Sequence, residues 1–329
     1  MSHSTERATL IGNSNSRRGA EVLRRAASVL AAAGRSVETV DVTQLKELGS
    51  ASDPIFAVGG DGTVNAAASW IFDHGGAQRI AVVPAGTGNN LAGGLGIPQE
   101  TEDAVRLGID GDKVQVVDAM SYRPTASSEE AGSSEGGAVL AGDDTRVFLQ
   151  VATLGFPATV AATYDELRKW RAFRIAAKPF GTKIYKILAA IGLPFLKMKE
   201  WRGQRGLHVK CELPGETIEE DSFAIFLGAE RSIGGDFIPC PDAKVDDGLL
   251  DICIVKSGTR DGYLKIFKEV SRGGHLALTD TVRYVQTPGP IRLTLSADAP
   301  FMADGDIWVQ NRAYELEVHP GRFQIVVPG

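Results

Sequence analysis

The stretch Gly59-Gly60-Asp61-Gly62-Thr63-Val64-Asn65 follows the apolar run Ile55-Phe56-Ala57-Val58 and precedes Ala66-Ala67-Ala68-Ser69-Trp70. This order predicts a buried strand, a glycine turn and a helix. Glycines let backbone N–H groups approach an anion closely, and a helix N-terminus adds partial positive charge. No P-loop lysine follows the glycines. The stretch therefore predicts a phosphate-binding loop built on backbone N–H groups, with a tight βα turn as the alternative interpretation.

A second loop repeats the arrangement. The strand pattern Ile80-Ala81-Val82-Val83 leads into Pro84-Ala85-Gly86-Thr87-Gly88-Asn89-Asn90, and Leu91-Ala92 opens a helix pattern. Because strands of an open α/β sheet end at one edge, both loops are expected to face one crevice, where ligands bind. The candidate nucleotide contacts in these loops are Gly59, Gly60, Asp61, Gly62, Thr63, Asn65, Gly86, Thr87 and Asn89.

Residues 1–120 alternate between strand and helix patterns. A strand is predicted over 9–11, an Ala-rich helix over 17–33 and a second strand over 37–42. This order predicts an N-terminal, doubly wound α/β nucleotide-binding domain. Two further nucleotide candidates follow strands: Asn13 after the first and Thr43 at the end of the second. A helix N-cap is the alternative role for Thr43.

Residues 121–329 have a different periodicity. Residues 125–146 are rich in Ser, Gly and Glu, which predicts a surface insertion. Short strands dominate beyond it, and several alternate apolar and polar residues. This predicts an antiparallel β-sandwich of two sheets. The predicted strands are 148–153, 207–213, 223–227, 250–255, 291–296, 314–318 and 323–327.

The two glycine loops, GGDGTVN and PAGTGNN, resemble the catalytic domain of the diacylglycerol kinase family, which includes bacterial diacylglycerol kinases as well as sphingosine and ceramide kinases. The segment PDAKVDDGLLD at 241–251 resembles a later motif of the family, and Asp304-Gly305-Asp306 lies where its DGE motif is expected. The four ordered motifs extend over most of the chain. Together they are specific, whereas GGDGT alone also occurs in NAD kinases.

The resemblance implies an ATP- and Mg²⁺-dependent lipid kinase that phosphorylates a lipid hydroxyl, with diacylglycerol as the first candidate substrate. It implies a structural Mg²⁺ bound by Asp247 and the backbone carbonyls of Lys244 and Leu249. The proton acceptor is expected at Asp306, where the family usually has Glu. Asp304 is the alternative acceptor, and Asp61 is a further candidate for the base or for orienting Mg²⁺-ATP.

The chain departs from the family pattern at two further places. Asn90 stands where many bacterial members carry Asp, and the turn after Asn13 lacks the usual proline and glycine. These departures keep two alternatives open. One is a kinase for a sphingoid base or another lipid alcohol. The other is a nucleotide- and membrane-binding module without catalytic activity.

The segment 168–210 carries twelve Lys or Arg residues against one acidic residue, Glu200, although the net charge of the chain is −6. Aromatic residues and an apolar run are interleaved with these cations. The mixture predicts peripheral attachment to an anionic membrane surface, with a solvated helical hairpin as the alternative. No nucleic-acid partner is expected, because the remainder of the chain is acidic. The oligomeric state stays open, a homodimer included.

The N-terminus has no signal-peptide pattern, and no apolar run is long enough to span a bilayer. Cys211, Cys240 and Cys253 do not have the paired spacing of a disulfide framework or a zinc site. The sequence therefore predicts a cytoplasmic protein, associated with the inner face of the membrane through the segment 168–210.

Overall fold

A computed structural model describes residues 6–14, 17–86, 88–125, 145–167, 169–170, 206–233, 237–258 and 260–329. Four parallel strands begin the fold, and they lie side by side in the order β2-β1-β3-β4. Their bounds are Arg7–Gly12 (β1), Ser36–Asp41 (β2), Ile55–Gly59 (β3) and Ile80–Pro84 (β4). These strands agree with the sequence pattern to within one or two residues.

Helices cover both faces of these four strands. Helices α1 (Arg17–Ala32) and α4 (Thr101–Asp110) pack on one face, where they contact Phe56 and Val58 of β3. Helices α2 (Asp61–Asp73) and α3 (Asn90–Gly94) pack on the other, against the alternate β3 residues. Strands buried on both faces need apolar side chains at every position. This explains the continuous apolar runs in the sequence.

The rest of the described chain is rich in strands and also contains the α-helices α5 and α6, which the sequence pattern did not predict. The elements are β5 (Val114–Pro124), β6 (Arg146–Phe148), β7 (Val151–Gly155), α5 (Phe156–Leu167), β8 (Leu207–Leu213), β9 (Glu216–Gly228), β10 (Leu250–Lys256), α6 (Arg260–Val270), β11 (Val282–Thr287), β12 (Ile291–Ala303) and β13 (Asp306–Val326). Among the described helices, none is long and apolar enough to cross a bilayer.

Hydrogen bonds join the described strands into one thirteen-stranded sheet instead of the two separate sheets expected. The reason is the length of β9 and β12. Each pairs with β8 through its first half and with β7 through its second half. These two long strands bend around a common core that includes Phe148, Phe301 and Tyr314. The layers of the sandwich-like core are thus continuous with each other.

Two predicted strand boundaries are wrong. The strand expected over 148–153 is interrupted at Leu149 and Gln150, between β6 and β7. The strands expected over 314–318 and 323–327 are parts of the single strand β13. In both cases the deciding contacts come from distant parts of the chain, which a local pattern does not contain.

Strand β13 also joins the two halves of the molecule. Its end pairs with β4 through Ile325 and Ile80, and with the beginning of β5. Phe323 and Ile325 are buried in the same core as α2. The predicted boundary at residue 120 falls inside β5, and the last strand of the chain returns to the first domain.

Asp118 is a buried residue of β5 that connects this junction to the segment 241–251. One carboxylate oxygen accepts a hydrogen bond from Gly248 N (2.7 Å), and the other accepts one from Gly321 N (2.7 Å). Its own backbone N–H donates to Val245 O (2.7 Å). One buried carboxylate therefore satisfies backbone N–H groups of two turns that are distant in sequence.

We expect Asp118→Ala to lower the free energy of unfolding by about 2–4 kcal/mol, because two backbone N–H groups would lose their acceptor. Urea denaturation of the full chain measures this change. Asp112→Ala, at an exposed position near the start of the same strand, is the matched control and should shift stability by less than about 0.5 kcal/mol. Equal stabilities of the two variants would contradict the role of Asp118.

Candidate functional site

The two glycine loops lie against each other at the carboxyl ends of β3 and β4. A Cβ atom added to Gly86 would lie 2.5 Å from Gly60 Cα. This separation is shorter than any real contact, so backbone packs directly on backbone. A Cβ on Gly59 would lie 2.0 Å from Thr63 Oγ1. The glycines are thus required by close approach, and the predicted adjacency of the two loops is observed.

Asp61 and Asn89 hold these loops in place. Asp61 opens α2, and its carboxylate accepts hydrogen bonds from Asn90 N and Leu91 N, both at 3.1 Å, which caps the start of α3. Asn89 has a left-handed backbone (φ 51°), and its Oδ1 accepts a hydrogen bond from Gly86 N at 2.9 Å. Both oxygens of Asp61 are therefore engaged in positioning the second loop.

Asp304 and Gly305 form the two-residue turn between β12 and β13. Both have positive φ, 48° and 90°, as a type I′ hairpin turn requires. The turn projects the Asp304 carboxylate into the molecule, where it accepts four hydrogen bonds. The donors are Asn65 Nδ2 (2.8 Å), Leu149 N (2.9 Å), Gln150 N (3.0 Å) and Val151 N (3.2 Å).

These bonds explain the interruption between β6 and β7, because the N–H groups at the interruption bind a carboxylate instead of a neighbouring strand. Burial raises the pKa of Asp304 to about 6. The hydrogen bonds act in the opposite direction, and the charge of Asp61 adds a further upward shift. Asp304 thus links α2 to the second half of the molecule.

Asp306 lies two residues later and is exposed. Its Oδ2 is 3.4 Å from the point where a Cβ on Gly62 would lie, so the carboxylate faces the first turn of α2. The helix N-terminus favours an anion at this position. The Asp304-Gly305-Asp306 segment therefore presents two carboxylates in two environments, one enclosed by donors and one open to solvent.

An elongated cavity of about 820 Å³ runs along α2, between the 3₁₀ turn Val42–Glu47 on one side and β5 and β6 on the other. Its volume is in the range of small-molecule sites. Four of the predicted site residues line it: Thr43, Gly62, Asn65 and Asp306. The remaining described residues of the glycine loops lie outside this lining. Thr87 lies outside the described residues.

Thr43 and the loop after β1 are both fixed by Asp41, which no local sequence pattern marks as a site residue. Asp41 Oδ1 accepts hydrogen bonds from Thr43 N (3.0 Å) and Oγ1 (2.7 Å), and its Oδ2 accepts them from Ser14 N (2.9 Å) and Oγ (2.5 Å). These bonds, those from Ser14 first, hold the pKa of Asp41 well below its usual range. Asp41, and not Thr43, is the N-cap of the 3₁₀ turn. Asn13 precedes this network and is exposed.

The segment 241–251 forms turns that end at β10. Asp247 is exposed, and its Oδ1 accepts a hydrogen bond from Leu249 N at 3.1 Å. No hydrogen bond from a described residue to its Oδ2 is present. Carboxylate and carbonyl oxygens are the donors that Mg²⁺ prefers, so the chemistry of Asp247, Lys244 O and Leu249 O fits the predicted ion. In the described part of the chain no cluster of three His, Cys, Asp or Glu side chains offers a different metal site.

Glu230 is a second acidic residue that sequence reasoning missed. It follows β9, and its backbone N–H donates to Gln150 O at 3.0 Å. Its Oε2 is buried and has no hydrogen-bond partner among the described residues. Burial raises its pKa to about 7, and the charges of Asp61 and Asp304 add to the shift. No local pattern marks this glutamate, since its neighbours come from three separate parts of the chain.

Because Glu230 binds its proton more tightly in the folded state, the stability it contributes is complete at low pH and declines as pH rises from about 4.5 to about 7. We therefore expect Glu230→Gln to have little effect on stability at pH 5 and to stabilise the protein by about 1–3 kcal/mol at pH 8. Thermal denaturation at the two pH values measures this difference. Glu47→Gln, at an exposed position, is the matched control. A Glu230→Gln effect that does not depend on pH would contradict the expectation.

Two family models match the chain. The diacylglycerol kinase catalytic domain matches residues 7–121, and the YegS C-terminal NAD kinase beta sandwich-like domain matches residues 186–327. The two matched regions correspond to the parallel-strand part and the strand-rich part of the fold. They agree with the two-part organisation that the sequence predicts.

Relatives with similar sequences are named as lipid kinases. A probable lipid kinase YegS-like of Enterobacter sp. is 30% identical over 64% of this chain and 58% of its own length. A second protein with that name, from Pseudomonas aeruginosa, is 25% identical over 87% of this chain and 93% of its own length. A diacylglycerol kinase of Mycobacterium tuberculosis is 27% identical over 84% of this chain and 77% of its own length. The chain thus spans less than two thirds of the Enterobacter relative.

The crystal structure of a diacylglycerol kinase from Bacillus anthracis has the same fold, with a TM-score of 0.63 over 99% of this chain and 98% of that one, at 18% identity. A second structure from that organism gives a TM-score of 0.66 at 21% identity. The family implies the use of ATP and, typically, of a divalent metal. Residues 7–121 thus match the diacylglycerol kinase catalytic domain, residues 186–327 match the YegS C-terminal domain, and relatives with similar sequences are named as lipid kinases.

Proposed function

We propose that this protein is an ATP-dependent lipid kinase that transfers the γ-phosphoryl group to a lipid hydroxyl, with diacylglycerol as the first candidate acceptor. The supporting observation is the cavity along α2. Gly62 and Asn65 of the first glycine loop line it, and the carboxylate of Asp306 lies beside Gly62. Phosphoryl transfer needs a bound nucleotide and a carboxylate near the attacking hydroxyl.

In this proposal the glycine loops bind the phosphates through backbone N–H groups at the start of α2, and Thr43 contacts the nucleotide from the opposite wall. Asp306 accepts the proton of the lipid hydroxyl as its oxygen attacks the γ-phosphorus, and ADP leaves. Asp306 suits this role because its carboxylate is exposed and faces the cavity. Asp304 and Asp61 are occupied by hydrogen bonds to backbone N–H groups and act as positioning residues.

We further propose the expected Mg²⁺ site at Asp247 and the carbonyls of Lys244 and Leu249. Next to it, Gly248 N donates to Asp118, so an ion bound there would stabilise the turn that β5 already holds. Magnesium bound to the nucleotide supplies charge neutralisation at the phosphates. The glycine loops, which Asp61 holds in place at the start of α2, would orient the complex of magnesium and nucleotide.

Several classes of lipid alcohol are candidate acceptors of the phosphoryl group. Asn90 stands where many bacterial family members carry Asp, and its Nδ2 donates to Ile233 O at 3.4 Å. An amide in place of a carboxylate removes one negative charge beside the second glycine loop. This difference keeps sphingoid bases and other lipid alcohols as alternative substrates. A module without catalytic activity would not require an exposed carboxylate in the cavity.

A labelling experiment tests the proposed activity. Incubation with γ-labelled ATP, Mg²⁺ and separate vesicles that contain diacylglycerol, a sphingoid base or ceramide should give one labelled lipid, which thin-layer separation identifies. Diacylglycerol should give labelled phosphatidic acid. Bound nucleotide without labelled lipid from any acceptor or from a total lipid extract would favour the non-catalytic module.

The choice of base is tested by substitution. We expect Asp306→Asn to lower kcat by about 10²–10⁴ with little change in ATP affinity, because a general base acts mainly in the transition state. Asp306→Glu, which restores the usual family residue, should keep or raise activity. Asp304→Asn should lower thermal stability as well as kcat. Retained turnover in Asp306→Asn together with an inactive but stable Asp304→Asn would reverse the two roles.

We also propose that the segment 168–210 attaches the protein to an anionic membrane surface at the inner face of the cytoplasmic membrane. Nearly all of that segment lies outside the described residues. It begins directly after α5, and Ala158 and Ala161 of α5 pack against Met302 and Ile307, which flank the Asp304-Gly305-Asp306 turn. The segment therefore starts from a helix that supports the proposed catalytic hairpin.

Binding to vesicles should require anionic lipid and weaken with salt, because the Debye length falls from about 10 Å at 0.1 M to about 3 Å at 1 M ionic strength. Co-sedimentation with phosphatidylcholine vesicles, with and without phosphatidylserine, measures this. Replacement of four Lys residues of the segment by Gln should abolish the difference between the two vesicles. Equal binding of the unmodified protein to both would remove the proposal.

A further inference from the structure

Negative charges near the start of α2 oppose the binding of phosphates in the cavity along that helix. A nucleoside triphosphate is a polyanion, and the carboxylates of Asp61, Asp304 and Asp306 lie close to the start of α2. The partial charge of a helix N-terminus is only about +0.5. The glycine loop itself, GGDGTVN, contains no cationic residue. Magnesium bound to the nucleotide would neutralise only part of this charge, so a cationic side chain on the cavity wall would favour phosphate binding there.

Two residues with a permanent positive charge are found among the described residues that line the cavity, Lys46 and Arg146. Lys46 lies in the 3₁₀ turn Val42–Glu47. Arg146 is the first residue of β6, on the opposite wall. The two cations therefore face the cavity from different domains.

Arg146 is held close to the start of α2. The next residue, Val147, accepts a hydrogen bond from Asn65 Nδ2 at 2.9 Å, and Asn65 lies one turn after Asp61. Arg146 also pairs with Tyr122 of β5, whose side chain lines the same cavity. The backbone of Arg146 is thus tied to α2 by its neighbour and to β5 by strand pairing.

The electrostatics of Tyr122 agree with this placement. Burial raises the pKa of Tyr122 far above its usual value; the charge of Arg146 lowers it, and those of Asp304 and Asp306 raise it further. The charges of the cation and of both carboxylates thus act on one tyrosine side chain. Arg146 and Asp306, which both line the cavity, therefore lie near the same part of it.

We infer that Arg146 binds the terminal phosphates of the nucleotide and supplies the positive charge that a lysine provides in a P-loop. The inference rests on the proposed kinase function and adds a residue to it. A planar guanidinium matches phosphate oxygens through two parallel hydrogen bonds. In the transfer step the bond between the γ-phosphorus and the bridging oxygen breaks, the lipid oxygen bonds to phosphorus and Asp306 takes the proton. Arg146 forms no covalent bond and stabilises the charge on the transferred group.

Calorimetry with ATP and AMP, in the presence of Mg²⁺, tests the inference on the full chain. We expect Arg146→Gln to weaken ATP binding about 10- to 100-fold, as for the loss of a charged hydrogen-bonding group. AMP binding should change less than about twofold, because AMP lacks the β- and γ-phosphates. Arg146→Lys should recover part of the ATP affinity. Arg123→Gln, on neighbouring β5 and paired with Glu315 outside the cavity lining, is the matched control and should bind ATP normally.

Three results would overturn the inference. They are an unchanged ATP affinity in Arg146→Gln, an equal loss of ATP and AMP affinity, which indicates a disturbed cavity, and a loss in Arg123→Gln as large as in Arg146→Gln. Circular dichroism of each variant confirms that the fold is kept. If the unsubstituted protein binds no ATP, the proposed function fails with the inference. If it binds and turns over ATP while Arg146→Gln does so equally well, only the inference fails.

Discussion

The carboxylate of Asp304 is the contact on which the arrangement of this protein depends. It accepts one hydrogen bond from α2, through Asn65, and three from the backbone between β6 and β7. A carboxylate bound by several N–H groups stays ionised more readily, which offsets part of the cost of its burial. Without those donors a buried charge would be strongly destabilising. The hairpin, the strand interruption and α2 are therefore interdependent.

The same turn gives different surroundings to two carboxylates that are equivalent in the linear motif. In the sequence, Asp304 and Asp306 are equivalent carboxylates on either side of a glycine. In the fold, the left-handed backbone of Asp304 and Gly305 directs one side chain into a set of donors and leaves the next one exposed to the cavity. The type I′ turn thus places a carboxylate that binds backbone N–H groups and a carboxylate that faces the cavity within three residues. Of the two carboxylates, Asp306 lines the cavity and Asp304 does not.

The sequence predicts those parts of the fold that local patterns encode. Apolar runs followed by glycine turns identify β3 and β4, and their adjacency follows from the geometry of parallel strands. Patterns of this kind contain no information on contacts across long separations. The interruption after Phe148 depends on Asp304, the capping of α3 depends on Asp61, and the turn at Gly248 depends on Asp118. Glu230 and Arg146 are likewise marked only by neighbours that folding brings to them. The motifs therefore predict which residues gather, and the fold decides which of them bind backbone and which face the cavity.

Strand β13 limits how the proposed base can move relative to the glycine loops. The strand begins at Asp306, extends through the sandwich-like core and ends beside β4, whose carboxyl end leads into the second glycine loop. Pairing with β12 over its first part and with β5 over its second part makes this strand stiff, so the backbone holds Asp306 near the start of α2. Aspartate is one methylene shorter than the glutamate usual in the family. In a rigid frame of this kind, the backbone itself must bring the shorter side chain to the cavity. This condition is met, because Asp306 Oδ2 lies 3.4 Å from the point where a Cβ atom added to Gly62 would lie. Because the strand already holds the proposed base in position, membrane attachment would have to bring only the lipid to the cavity.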